Sequence, residues 1–211
     1  HQPRHDGVDL RHRRRPGLTE TGAQILSNPL PPEIRKIGSP GVAYGNEVIV
    51  GDDNQNPVAA NVEGEILVRG SNVMQGYLDR PEETAKTITA EGWLRTGDLG
   101  RMDEDGFVFV TGRIKELIIK GGENIAPREV DAALLEHNAV LEAAAFPRAC
   151  KDYGQRVEAC VCLKKGHNTD ENELREFCKN LIGAYKTPDR IYFLDDLPKG
   201  PSGKVQRMKL V

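Results

Sequence analysis

From Glu47 onward, apolar and polar positions alternate in short runs closed by glycine-rich turns: "NEVIVGDD", "EGEILVRG" and "GFVFVTG". Period-two alternation of this length predicts half-buried β-strands. "ELIIKGG", starting at Glu116, carries the same signal. Between them, "RPEETAKTIT" opens with a proline and two acids, which suits the first turn of a short helix. Past Gly112 the period changes. "APREVDAALLEH" sets Val130, Ala133, Leu134 and His137 on one helical stripe, with Pro127 in the first turn. "TDENELREFCKNLIG" predicts a second amphipathic helix, with Leu174, Phe177, Cys178 and Leu181 inward and Thr169 as N-cap. "VLEAAAFP", "VEACVCLKKG" and "RIYFLDDLP" read as strands, followed by the loop "KGPSGKVQR". The expected class is α+β, a β-rich part followed by a compact α+β unit of about a hundred residues.

The opening "HQPRHDGVDLRHRRRPG" fits neither pattern. Its basic cluster from Arg11 to Arg15 could be a nucleic-acid arm, but no aromatics are interleaved and nothing downstream is basic. A disordered leader over residues 1–16 is therefore expected.

Bulk numbers narrow the function classes. The 211 residues carry 29 Lys+Arg against 32 Asp+Glu, a net charge of -3, so no global field draws the chain to nucleic acid or acidic lipid. Apolar runs such as Val108–Val110 and Leu117–Ile119 are far too short for a membrane-spanning helix. The start lacks an apolar signal region and the end, "QRMKLV", is no peroxisomal address, so a cytoplasmic setting is expected. Cys150, Cys160, Cys162 and Cys178 form no C-x-x-C pair and read as reduced core thiols. No histidine pairs with cysteine or carboxylate at a ligand spacing, so a structural metal is not expected.

Four stretches hold chemistry that a plain fold does not require. "GLTETG" offers the Thr19 hydroxyl, able to bond a phosphate oxygen, and the Glu20 carboxylate, able to hold Mg²⁺; an N-cap explains Thr19 equally well. "GWLRTGDLG" sets Asp98 in a tight Thr-Gly-Asp turn, where its carboxylate could take both ribose hydroxyls; an ordinary turn aspartate is the plainer reading. "GRIKELIIKGGENIAPREVD" places Arg113 and Lys115 where the composition shifts, then Gly121 and Gly122. Two glycines let the backbone approach a thin ligand or simply turn a hairpin, and Lys115 and Lys120 could be solvated strand positions. "LPKGPSGKVQR" carries Lys204 on a loop stiffened by Pro198 and Pro201. The spacing fails the P-loop pattern, and a lone ammonium there suits the bridging of two anions.

In this order the stretches resemble the AMP-forming acid–CoA ligases of the adenylate-forming superfamily. "GLTET" is similar to the end of its Y-G-x-T-E motif, "GEILVRGSNVMQGYLDRPEET" to its G-E-[IL]…G-Y segment and "GWLRTGDLG" to its T-G-D motif. "GRIKELIIKGGENIAPREVD" is similar to the hinge motif and "PSGKVQR" to the terminal G-K motif. "SNPLPP" before "RKIGSPG" looks closest to the branch that activates small acids, such as oxalate–CoA ligases. The resemblance runs from Gly17 to Val211. It implies residues 17–112 as the end of the large AMP-binding domain and 113–211 as the mobile small C-terminal domain.

What the resemblance implies chemically is adenylation of a small acid by ATP, then transfer of the acyl group to CoA. Thr19 would contact phosphate, Glu20 Mg²⁺, Asp98 and Arg113 the ribose, and Lys204 the attacking carboxylate and phosphate. Lys115 would be the hinge of a domain rotation, and Gly121 and Gly122 would line the CoA path. Two departures stand out: Pro16 replaces the family's adenine-stacking tyrosine, and the upstream phosphate loop and acid pocket have no counterpart. A fragment inactive by itself is therefore expected, one that could associate with itself through exposed β-rich surface. Two alternatives remain: a non-catalytic module binding AMP, CoA or a protein partner, and an adenylation fragment serving a carrier-protein thiol.

Overall fold

The computed structural model describes residues 18–22, 24–30, 33–201 and 203–210. The expected leader, residues 1–16, and Gly17 lie outside the described residues. The fold is α+β and rich in strand, in two compact units that divide between Val110 and Thr111.

The first unit is built from alternating strands. β1 (Leu26–Ser27) pairs antiparallel with β2 (Val42–Ala43). A four-stranded sheet then runs in the order β3 (Glu47–Gly51), β4 (Glu63–Arg69), β5 (Leu94–Met102), β6 (Val108–Arg113). Val48, Ile66, Val68 and Val108 turn to one side and form a buried cluster with Ile25 and Leu26. α1 (Pro81–Thr87) starts at its proline, whose missing N–H costs nothing in a first turn. The short pair β1–β2 escapes the alternation signal because two residues are too few to show a period.

In the second unit a five-stranded sheet carries helices on one face and the chain's tail on the other. β7 (Ile118–Lys120) and β8 (Glu123–Ile125) form a hairpin, and β9 (Val140–Cys150), β10 (Gly154–Leu163) and β11 (Arg190–Phe193) complete the sheet. β10 is antiparallel to β9 and parallel to β11. Alternation along β10 sorts its two faces. Val157, Ala159 and Val161 meet Val130 and Leu134 of α2 (Pro127–Leu135) and Leu174 and Cys178 of α3 (Glu171–Lys186). Cys160 and Cys162 point the other way, onto Phe146, Leu197, Val205 and Leu210.

Three details differ from the sequence reading. The N-cap of α3 is Asp170, whose Oδ1 accepts the Glu173 N–H at 2.9 Å; Thr169 instead donates to the Glu173 carboxylate at 2.7 Å. An aspartate at the cap position outcompetes the neighbouring hydroxyl because it brings a full charge to the helix N-terminus. Ile182 takes the inward place and Leu181 is exposed. The helix breaks at Gly183, in a positive-φ conformation that glycine permits. Three of the four thiols are buried and all are free, and burial alone pushes Cys178 up to about 11. No helix among the described residues is long and apolar enough to cross a membrane.

Candidate functional site

In the first unit, Thr19 and Glu20 form a short 3-10 turn (Thr19–Thr21) ended by Gly22 in the left-handed region. Leu18 anchors the turn on the apolar cluster around Ile66. The Thr21 hydroxyl donates to the Leu18 carbonyl at 3.0 Å, and the Glu20 carbonyl accepts the Met74 N–H at 2.7 Å. Tyr77 donates its hydroxyl to the Glu20 carboxylate at 3.1 Å, and burial followed by that carboxylate pushes the phenol up. The 3-10 turn thus holds a backbone-fixed carboxylate beside an exposed Thr19 hydroxyl.

Asp98 does not sit in a tight turn. It lies within β5, where pairing with β4 steps from Leu67↔Arg95 to Glu65↔Leu99, so Thr96, Gly97 and Asp98 face Ile66 alone. This bulge depends on Gly97 at φ 69, and the neighbouring Glu65 and Thr96 hold it. The Thr96 hydroxyl donates to the Ile66 carbonyl at 2.7 Å and accepts the Asp98 N–H at 3.0 Å. Glu65, nearly buried, accepts the Gly97 N–H at 3.0 Å and Arg95 at 2.9 Å. Bulges re-aim side chains near functional sites, and the half-buried Asp98 lies within this one. The turn reading fails because Thr-Gly-Asp has turn chemistry, while the strand is imposed by partners on either side.

The second unit carries the remaining candidates. Arg113 ends β6, and Lys115 is exposed on a 3-10 turn (Ile114–Glu116). Gly121 and Gly122, at φ 55 and 89, close the β7–β8 hairpin, both in the conformation a two-residue turn demands. A Cβ on Gly121 would come within 3.2 Å of the Tyr185 hydroxyl and 3.3 Å of Tyr153. Lys120, for which a solvated strand position was one reading, is 7% exposed. Its ammonium donates to the Tyr185 carbonyl at 3.1 Å and lies 3.5 Å from Asp189, with the Tyr153 and Tyr185 rings 5.9 and 5.2 Å away.

Lys204 is exposed on a tail hairpin that closes on itself. Gly200 N–H donates to the Lys204 carbonyl at 2.8 Å and Gln206 N–H to the Pro198 carbonyl at 2.7 Å. Ahead of Lys204, the Lys199 ammonium meets Glu142 of β9 at 2.8 Å and Asp196 at 3.0 Å. Behind it, the Arg207 guanidinium donates to the Ala145 carbonyl at 2.8 Å and pairs with Asp131 of α2 through both nitrogens. The Ala145 N–H completes the group by donating to Asp131 at 2.6 Å. Burial pushes the Asp131 carboxyl up, and the hydrogen bond from Arg207 offsets only part of that rise.

Asp131 and Arg207 close the hinge and terminal motifs, yet neither is among the candidates drawn from them. A signal for them exists: Pro127, Val130, Asp131 and Leu134 share one buried helical stripe, and a carboxylate there requires a partner. The structure joins the Lys115 turn to the tail through Arg207, whose Nε lies 3.4 Å from Glu116. It does not join Gly121 and Gly122 to the tail. Their hairpin meets β10 at Gly154, whereas Ala145 faces Ala159, five residues or roughly 17 Å further along.

A second buried charge lies on the tail side of the sheet. Glu158 is fully buried and accepts from Arg148 at 3.1 Å, Arg156 at 2.9 Å and the Tyr192 hydroxyl at 3.1 Å. Burial would push its carboxyl up, but these donors outweigh burial and hold it below its ordinary value of 4.5. Its folded value being the lower one, its contribution is complete above that pH and is lost as acid titrates through the folded value. Glu158→Gln should destabilise the second unit by about 2–3 kcal/mol at neutral pH. It should also flatten the urea midpoint against pH below about 4.5; an unchanged acid limb would contradict the assignment.

Among the described residues, no group of three or more His, Cys, Asp or Glu gathers as a metal site. Comparison with known proteins gives two family matches: AMP-binding enzyme over residues 17–78 and AMP-binding enzyme C-terminal domain over residues 129–204. A sulfoacetate–CoA ligase of Cupriavidus necator is 49% identical over 195 residues, 92% of this chain and 38% of that protein. An oxalate–CoA ligase of Saccharomyces cerevisiae is 44% identical, covering 90% of this chain and 35% of its own length. Among solved structures, ATP-bound MatB from Rhodopseudomonas palustris superposes with a TM-score of 0.87 at 35% identity, over 92% of this chain and 39% of that one. The o-succinylbenzoate CoA synthetase of Bacillus subtilis, in complex with its acyl-adenylate intermediate, gives 0.81 at 39% identity, over 92% and 40%. The chain thus spans under two fifths of the length of the sulfoacetate and oxalate ligases.

Proposed function

As a member of the AMP-binding enzyme family, the chain carries these elements, and from them we propose that it is the portion of an acid–CoA ligase that grips the nucleotide and delivers a catalytic lysine. In the proposed first step, a carboxylate oxygen of a small acid bonds to the α-phosphorus of ATP and pyrophosphate leaves. In the second, the CoA sulfur bonds to the acyl carbon and AMP leaves.

The observation that carries this reading is the tail hairpin, which leaves Lys204 exposed while fixing the backbone on both sides of it. An ammonium so held can draw two anions, the attacking carboxylate and the phosphate, to bonding distance without reorganising. Asp98, within its bulge, is suited to accept from both ribose hydroxyls, with Arg113 assisting and Thr19 meeting phosphate. Glu20 offers one carboxylate that would hold Mg²⁺ beside the nucleotide phosphates. When bound, the ion would neutralise phosphate charge. Lys115 serves as the pivot between the half-reactions, with residues 113–211 as the moving part. Gly121 and Gly122 are assigned to the pantetheine path, where a side chain would crowd the ligand.

The 211 residues do not include the phosphate loop and acid pocket that the family resemblance implies. The test joins them to the preceding portion of Rhodopseudomonas palustris MatB and measures pyrophosphate release with ATP and a panel of small acids. Release followed by thioester formation with CoA supports the ligase reading. A folded chimera that releases none with any acid sinks it.

The second reading is a non-catalytic module that binds AMP, CoA or a protein partner. Calorimetry on the 211 residues separates the readings: AMP binding lost in Asp98→Ala supports a nucleotide site, and no binding of AMP or CoA leaves a protein partner. CoA is preferred to a carrier-protein thiol because the relatives are CoA ligases by name. Exposed Leu30, Ile34, Ile37 and Tyr44 support self-association of the first unit in isolation.

A further inference from the structure

The way Arg207 meets the sheet is unusual for a surface arginine. β9 pairs with β10 along one edge, and the Ala145 peptide turns its N–H and carbonyl away from that partner. Asp131 accepts the N–H and Arg207 donates to the carbonyl, so the two side chains occupy the place a neighbouring strand would take. The pair is largely desolvated, with side-chain exposures of 12% for Asp131 and 16% for Arg207. A bidentate, desolvated ion pair is costly to break, unlike the solvated pairs elsewhere on the chain.

Arg207 lies three residues beyond Lys204, so the lysine backbone cannot stray more than about 11 Å from the Arg207 backbone. The same guanidinium reaches Glu116, at the end of the turn that carries Lys115. We propose that Arg207 is a positioning residue: seated on Asp131 and the Ala145 carbonyl, it fixes the loop presenting Lys204 and ties that loop to the Ile114–Glu116 turn. The proposal rests on the reading of Lys204 as the group that meets the reactants. It adds a residue that touches neither nucleotide nor acid yet sets where the ammonium sits.

Amide hydrogen exchange on the 211-residue chain tests the clamp without any activity. In Arg207→Ala the Gly200 and Gln206 amides should exchange at least tenfold faster, while the Val157–Val161 amides of β10 keep their rates. Arg207→Lys should fall between, because one ammonium cannot serve the carboxylate and the carbonyl together. Asp131→Asn should accelerate the same two amides. Unchanged exchange at Gly200 and Gln206 would overturn the proposal, as would equal acceleration throughout the second unit, which would make Arg207 a support of the whole fold. In the MatB chimera, Arg207→Lys should lower the adenylation rate at least tenfold with the acid KM unmoved; a rate that stays intact would also overturn it. If Lys204→Ala left adenylation intact while Arg207→Ala still loosened the loop, the catalytic reading would fail and the clamp would stand.

Discussion

Lys204→Ala, in the chimera with the MatB front portion, is expected to lower pyrophosphate release by about 10²–10³-fold, on the order of 3–4 kcal/mol of barrier. The size follows from the role proposed for the ammonium. Adenylation brings a carboxylate against a phosphate, and a preplaced cation offsets their repulsion when the new bond forms. The loop is fixed by Lys199 on Glu142 and by Arg207 on Asp131, so little reorganisation is charged to the reaction. Acyl transfer from a supplied acyl-adenylate should fall far less, because the new bond there forms at the acyl carbon and not at phosphorus. Lys204→Arg should not rescue the rate, since a planar fork cannot place one point charge between two oxygens on a short loop. Pyrophosphate release within threefold of the parent in Lys204→Ala would remove this role.

The second large effect concerns stability. Phe146→Ala should cost about 3–5 kcal/mol, read from urea or thermal unfolding of the second unit. Phe146 is fully buried on the tail side of the sheet, among Ala144, Cys160, Cys162 and Leu197. Tyr192 stacks on it with ring centroids 6.5 Å apart, and Arg148 lies over it at 5.7 Å. Val205 and Leu210 pack against the same cluster, so the cavity would open beneath the tail hairpin itself. Phe146→Leu, which keeps most of the volume, should cost less than half as much. Equal losses in both variants would mean that the ring stacking matters more than the space it fills.

Much of the fold was legible because its strands and helices carry their periods openly. The stripe of Val130 and Leu134 and the alternation of Val157, Ala159 and Val161 are local facts that the core then uses. The bulge at Thr96–Asp98 was not legible, because it is defined by a register on β4 more than twenty-five residues earlier. The same holds for Lys120. Its neighbours in sequence suggest an exposed position, and only the return of Tyr153 and Tyr185 covers it. The candidate site shows a similar division. Lys204 and Asp98 stand in short motifs whose residue types announce polar chemistry. Asp131 and Arg207 act through a meeting of a helix, a sheet edge and the tail, which one-dimensional spacing conceals.

The occupied Ala145 peptide also bears on what that edge of the sheet can offer a second strand. An outer strand normally offers its free N–H and carbonyl groups as a template on which a foreign strand can grow. Here the Ala145 groups are already taken, and Pro147, facing the same way two residues on, has no N–H to give. Loss of Arg207 would free only the Ala145 carbonyl, since Asp131 would still hold the N–H and Pro147 would still have none to offer.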